Sequence, residues 1–212
     1  MDKDGPLCAE QMLYAACFRA MEEISEQIGK DGSVYRAEYE KLTAVIEKFF
    51  WDEEKGAYID SFTSGRRNVT RHANIFAILF SVADEKKQEK ILKNVLENDE
   101  IPAITTPYFN FFELDVLCRM GKLTEVLDKI RSYWGGMLDL GAVTFWEEYD
   151  PSVPKEEQYD MYGDHFGKSL CHAWAASPIY FLAKYFAGLD LVNKDGVTYI
   201  LKPQMQYFTE LD

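Results

Sequence analysis

The residues best able to do chemistry in this chain lie between positions 141 and 152, which read GAVTFWEEYDPS. Here Trp146 precedes two adjacent carboxylates, Glu147 and Glu148. An indole offers a flat apolar face to the C–H side of a sugar ring, and a carboxylate can take a proton from a water beside an acetal carbon. Cleaving a glycosidic bond needs two carboxyl groups, one to protonate the leaving oxygen and one to activate water or attack directly. On that chemistry either Glu147 or Glu148 is one of the pair. The competing reading makes both of them surface charges on a loop, with Trp146 capping the core.

The histidines carry the same two readings. His172, in SLCHAWAASP, stands close to Trp174; His72 lies in RHAN; His165 lies in YGDHFG and fits a loop residue with no catalytic role. For His172 and His72 the competing reading is a satisfied core histidine. No HExxH or other compact ligand spacing occurs, so no metal site is expected. Nor is there a Gly-rich phosphate loop, a nucleophile elbow or a dinucleotide fingerprint, and no cofactor is expected either.

Seven helical stretches are expected to position these groups. Over 8–28, Leu13, Cys17, Met21, Ile24 and Ile28 recur at steps of three to four and Gly29 ends the run. Ser33 can cap a second helix reaching Phe50, after which WDEEKGAYIDS (51–61) breaks the pattern with a turn and a short extended piece. A third helix is expected over about 70–82, and a fourth opens at Asp84. Pro107 suits the first position of a fifth, which stops at Gly121; a sixth follows at once and stops at Gly135-Gly136. The seventh is expected over about 169–187, with Pro178 implying a kink or a later true start. Beyond Gly188, an N-K-D-G turn between alternating apolar residues predicts a β-hairpin.

The helices pair through short turns, first with second, third with fourth and fifth with sixth, which is an all-α array of αα-hairpins. No strict repeat supports a solenoid; a toroid of hairpins, with more aromatic inner helices, is the alternative. The expected division is 1–188 for the helical domain and 189–212 for the start of a β-domain or a docked tail. With 212 residues, 47% hydrophobic, the chain can bury a sizeable core. A net charge of −13 disfavours nucleic acid and anionic membrane surfaces. No window has the apolar length of a membrane span. Four cysteines without a CxxC pair are expected to be reduced and buried.

Four strings, taken in order, resemble a known family: RHANIFAILFSVA, TPYFNFFELDVLCRMG, IRSYWGGMLDLGAVTFWEEYDP and SLCHAWAASPIYFLAKYFAGL. They are similar to the catalytic domain of bacterial α-L-rhamnosidases, glycoside hydrolase family 78, over about residues 10–190. The pairing of WGGML…GAVTFWE with the later SLCHAW is its most specific part. The resemblance implies an (α/α)6 toroid, here partial, and inverting hydrolysis of terminal α-L-rhamnosides. It makes Glu147 the general base and His172 a sugar contact, with Trp146, Trp174 and His72 as further substrate-binding candidates. The partner it implies is a rhamnosylated glycan or glycoside.

In that family the general acid is a glutamate of an aspartate- and glycine-rich motif upstream of the first helix, and it has no counterpart here. The expectation is therefore the later part of a rhamnosidase-like enzyme, inactive alone and exposing an apolar seam open to self-association. Two other readings stand beside it. One is a non-catalytic helical-hairpin module that binds a glycan or protein. The other is a toroid enzyme acting on a different sugar, such as a uronic acid or a glucan, with the same base.

Overall fold

The structure, a computed structural model, describes residues 1–192 and 198–207. The chain divides into two compact units, Met1–Ala103 and Ile104–Asp212.

In the first unit, α1 (Cys8–Gln27) and α2 (Ser33–Phe50) form a helical hairpin. The turn between them is set by Gly29, whose φ of 73° is costly for any residue with a Cβ. A two-residue ladder follows, β1 (Trp51–Asp52) against β2 (Ala57–Tyr58), with Trp51 opposite Tyr58. The Asp52 carboxylate accepts from the backbone N–H groups of Glu54 and Lys55 and closes this turn. Then come α3 (Arg71–Leu79) and α4 (Glu85–Ile91), whose N-cap Asp84 accepts from Lys87 N–H at 2.9 Å. The last turns of that helix, Leu92–Leu96, widen to i→i+5 hydrogen bonding.

Two buried polar side chains knit these elements together. Asn74 is fully buried: its amide donates to the carbonyls of Tyr58 and Thr70, each at 2.9 Å, and its carbonyl accepts from Tyr58 N–H at 2.8 Å. It therefore ties α3 to the edge of β2, where a strand two residues long has few partners of its own. The buried Arg71 guanidinium donates to the carbonyls of Leu96, Asn98 and Ile101, at 3.0, 3.5 and 3.4 Å, and shapes the chain as it leaves α4.

Helix α1 has two apolar stripes. Cys8, Met12 and Ala15 are buried, on the side that packs against α2 and α3. The periodic set that stands out in the sequence is the other one: Leu13, Cys17, Met21, Ile24 and Ile28 are all exposed. Periodicity alone marks a face and leaves open which of two faces meets a neighbour.

The second unit begins with α5 (Pro107–Arg119), Pro107 sitting at its start as expected, and α6 (Leu123–Lys129). The sixth helix does not stop at Gly135-Gly136. It continues through wide turns over Ile130–Trp134 into α7 (Gly135–Asp139). Gly135 takes helical φ and ψ of −59° and −39°, and the break falls at Gly141, with φ 91°. Gly136 is needed for space: a Cβ there would lie 2.4 Å from Tyr149 Oη.

The seventh helix starts later than its apolar run. Residues 169–172 are irregular, Ala173–Ala175 make a single 3-10 turn, and α8 covers Ser177–Phe181 with Pro178 in its first turn. Pro178 thus marks the true start. Wide turns over Leu182–Phe186 lead to the ladder of β3 (Leu189–Leu191) with β4 (Tyr199–Leu201), antiparallel, Leu189 opposite Leu201. The expected N-K-D-G turn lies outside the described residues.

All four cysteines are free. Cys8 and Cys118 are buried, and burial pushes the Cys118 thiol up to about 12. Cys17 and Cys171 are exposed, so the expected buried set shrinks to two. Cys17 belongs to the outward stripe of α1, and Cys171 to the irregular approach to α8. Among the described residues, no helix is long and apolar enough to cross a membrane.

The Asn74 brace makes a direct prediction. Asn74→Ala strands the buried Tyr58 N–H and two carbonyls, and should destabilise the first unit by about 3 kcal/mol in urea unfolding. A loss under about 0.5 kcal/mol would show that the short ladder holds without it.

Candidate active site

The site lies in the second unit, on a segment that has no regular secondary structure. Residues 145–147 run beside 169–172 and exchange two backbone hydrogen bonds, Glu147 N–H to Ser169 C=O at 2.9 Å and His172 N–H to Phe145 C=O at 2.8 Å. The Thr144 hydroxyl adds a third link, to the Leu170 carbonyl. Sequence spacing hides this pairing, because the intervening residues loop out. Its effect is to bring Glu147 and His172 side by side.

Glu147 is only 8% exposed, and its carboxylate is fixed at both oxygens. Oε2 accepts from the backbone N–H of Ser169 at 3.1 Å; Oε1 accepts from the Tyr162 hydroxyl at 3.3 Å. His172 Nδ1 lies 4.0 Å from Oε2. A carboxylate that accepts from a backbone N–H at one oxygen and from a phenol at the other has a preferred plane, and its remaining lone pairs can accept from water.

The neighbouring Glu148 is used differently. Its Oε1 accepts from the Thr105 hydroxyl at 2.8 Å, and the Thr105 carbonyl accepts from Tyr149 N–H at 3.2 Å and from the Tyr133 hydroxyl. The two carboxylates that are indistinguishable in the string WEEYD are thus separated: one is held by Ser169 and Tyr162, the other anchors the loop to the residues before α5.

The tryptophans divide in the same way. Trp174 is 43% exposed; its ring lies 4.2 Å from the His172 ring and 5.1 Å from that of Tyr108, centroid to centroid. Trp146 is 3% exposed and packs edge-on to Tyr159. Tyr159 in turn stacks on Phe166, so Trp146 underpins the loop that carries Tyr162. His72 belongs to the first unit, where its Nδ1 lies 3.4 Å from the Thr70 hydroxyl, which itself donates to the buried Asp60 at 2.6 Å.

Lys168 is buried immediately before Ser169. Burial pulls its ammonium below the usual lysine range, while Glu148, Asp150, Asp160 and Glu147 pull it back up. His165 pairs with Asp160, Nδ1 to Oδ1 at 2.7 Å, on the exposed rim of the same loop. Among the described residues, no group of three or more His, Cys, Asp or Glu side chains is placed to hold a metal ion.

Sequence reading does not single out Tyr162, Tyr108 or Ser169. Tyr162 sits in an irregular stretch, and Ser169 acts through its backbone, which no side-chain pattern reveals. The Tyr-Gly dipeptide at 162–163 is the one local signal, since it marks a tight turn.

Known proteins resemble this chain in sequence and fold. The family model for the bacterial alpha-L-rhamnosidase 6 hairpin glycosidase domain matches residues 2–186. A solved rhamnosidase from Klebsiella oxytoca with rhamnose bound is similar at a TM-score of 0.72 and 28% identity, over 84% of this chain and 34% of that one. The GH78 family rhamnosidase of Bacillus sp. GL1 is similar at a TM-score of 0.80 and 26% identity, over 94% of this chain and 21% of that one. This chain therefore spans about a third and a fifth of their lengths. No curated protein matches. A domain of six helical hairpins fits a helical toroid, and the hairpins here are of that kind. The chain belongs to the bacterial α-L-rhamnosidase six-hairpin glycosidase domain family.

Proposed function

We propose that this chain carries the base side of an inverting α-L-rhamnosidase site. The observation that supports it best is the Glu147 carboxylate, held at both oxygens, with His172 Nδ1 at 4.0 Å and the open face of Trp174 beside that imidazole. The Klebsiella oxytoca relative binds rhamnose, and a deoxy-sugar with one apolar edge suits such a surface. The ring would lie against Trp174 and Tyr108, with a hydroxyl on His172. Trp146 would act from below, fixing the loop rather than touching the sugar.

Inversion requires a water on the face of the anomeric carbon opposite the leaving group. In this reading Glu147 accepts that water's proton as its oxygen attacks, while the departing oxygen is protonated by a second carboxyl. The resemblance puts that acid upstream of α1, so turnover is proposed for the whole enzyme and sugar recognition for this chain. Residues 1–188 would form the helical catalytic part and 189–212 the beginning of a β-domain; the family match ending at 186 supports that division.

The outward stripe of α1 suggests a further property. Leu13, Met21, Ile24 and Ile28 are exposed along one face, and exposed apolar helix faces of this length pair readily. A second copy of the chain, pairing stripe to stripe, is the proposed occupant.

Three outcomes are expected. In the whole enzyme, Glu147→Gln should lower hydrolysis of 4-nitrophenyl α-L-rhamnoside by roughly 10²–10⁴-fold with unchanged circular dichroism; near-normal turnover would remove Glu147 from the role. Trp174→Ala should weaken L-rhamnose binding about tenfold in calorimetry, ~1.4 kcal/mol, and an unchanged affinity would place the sugar elsewhere. Ile24→Glu should shift the chain from dimer to monomer in sedimentation velocity; a wild-type chain that is monomeric at all concentrations would refute the pairing.

A further inference from the structure

The loop over 158–168 contains a residue that its own backbone disfavours. Met161 and Asp164 pair across a two-residue turn, N–H to C=O at 3.0 Å one way and 2.9 Å the other. Both central residues take positive φ, Tyr162 at 56° and Gly163 at 86°. Turns of this kind select asparagine, aspartate or glycine, because a larger side chain meets its own backbone there. A tyrosine at the first central position is a local cost.

That cost is not offset by burial. Tyr162 is 82% exposed, so its ring adds little to packing. The rest of the loop is nevertheless held by packing and hydrogen bonds. Tyr159 rests on Trp146 and stacks on Phe166; Lys168 N–H donates to the Tyr159 carbonyl at 3.1 Å. Gly167 passes so close to Met161 that a Cβ would lie 2.2 Å from the Met161 carbonyl oxygen. The loop thus presents a strained residue whose hydroxyl donates to Glu147 Oε1 at 3.3 Å. Strain retained at a surface turn, with the side chain aimed at a reactive group, is the pattern of a functional constraint.

We propose that Tyr162 is a positioning residue for Glu147, fixing the plane of its carboxylate so that its free lone pairs face the site. The proposal rests on the reading of Glu147 as the base. The phenol is suited to the task because the charge on Glu147, with smaller contributions from burial, the hydrogen bond and Glu148, raises its pKa above the ordinary tyrosine value. It therefore stays a donor throughout the neutral range. With Tyr162 removed, the carboxylate loses its donor at Oε1 and can rotate about its last bond.

The test combines spectroscopy on this chain with kinetics on the whole enzyme that carries it. Tyrosines labelled with carbon-13 at Cζ are titrated by NMR in wild type and in Tyr162→Phe, Glu147→Gln and Glu148→Gln variants. Tyr162→Phe removes one resonance and so assigns it. In Glu147→Gln that resonance should titrate lower by about half a pH unit or more, with a smaller shift in Glu148→Gln. Tyr162→Asn, which suits the turn better, should melt at or above the wild-type temperature. Both Tyr162→Phe and Tyr162→Asn should lose tenfold or more in kcat for 4-nitrophenyl α-L-rhamnoside, with KM within about twofold in Tyr162→Phe.

A resonance that ignores Glu147→Gln overturns the proposal. So does a wild-type kcat in Tyr162→Phe when Glu147→Gln is inactive. If Glu147→Gln instead keeps its activity, the base assignment itself fails, whatever the tyrosine resonance shows. A melting temperature that falls in Tyr162→Asn would make Tyr162 a structural residue and also count against the proposal.

Discussion

The site depends on one short backbone pairing, the two hydrogen bonds between residues 145–147 and 169–172. Each is an ordinary amide–carbonyl bond, with a net contribution of about 1 kcal/mol. Together they determine which side chains meet. They put the Ser169 N–H under one oxygen of Glu147 and set His172 beside it. A slip in register of one residue would exchange Glu147 for Glu148 or Trp146, and the carboxylate would lose its donors. The surrounding contacts make such a slip costly: Glu148 is tied to Thr105, Tyr149 fills the space beside Gly136, and Trp146 is buried against Tyr159.

This explains why an active-site candidate can sit on irregular chain. Helices α5, α6 with α7, and α8 supply a frame; polar side chains fasten the loop to itself, and Glu148 ties it to Thr105 before α5. Gln158 donates to the carbonyls of Asp150 and Val153, and Trp134 donates from its indole to the Ala175 carbonyl at 2.8 Å. Loops held this way can carry aromatic and charged groups at an open surface without the disorder that exposed loops usually show. Tyr162, strained and exposed, is the extreme case: its placement makes sense through what it touches, since its own burial contributes little.

Much of the frame was legible in the sequence, and the reasons are specific. Asp84 and Pro107 announce helix starts through local chemistry that tertiary context leaves intact. The WDEEKGAYIDS stretch reads as a turn because Asp52 and Gly56 both serve that turn directly. Gly135-Gly136 misleads, because glycine signals both a helix end and a close approach, and only the position of Tyr149 distinguishes them. The run after Ser169 reads as helix from its apolar content, yet its first residues are spent on pairing with 145–147. On α1, the stripe that dominates the pattern is the exposed one. Within the site, Glu147, His172 and Trp174 could be named from residue types and a family resemblance, whereas Ser169 and Tyr162 could not. The first acts through its main chain, and the second reaches Glu147 only because the loop folds back.

The central claim is that a sugar sits on the open face formed by His172 and Trp174, within reach of the Glu147 carboxylate. The most direct measurement is the effect of L-rhamnose on the tryptophan indole N–H signals in a nitrogen-15 correlation spectrum. The Trp174 signal should move in a saturable way, while that of the buried Trp146 stays nearly still. Saturable binding that leaves Trp174 unmoved would contradict it.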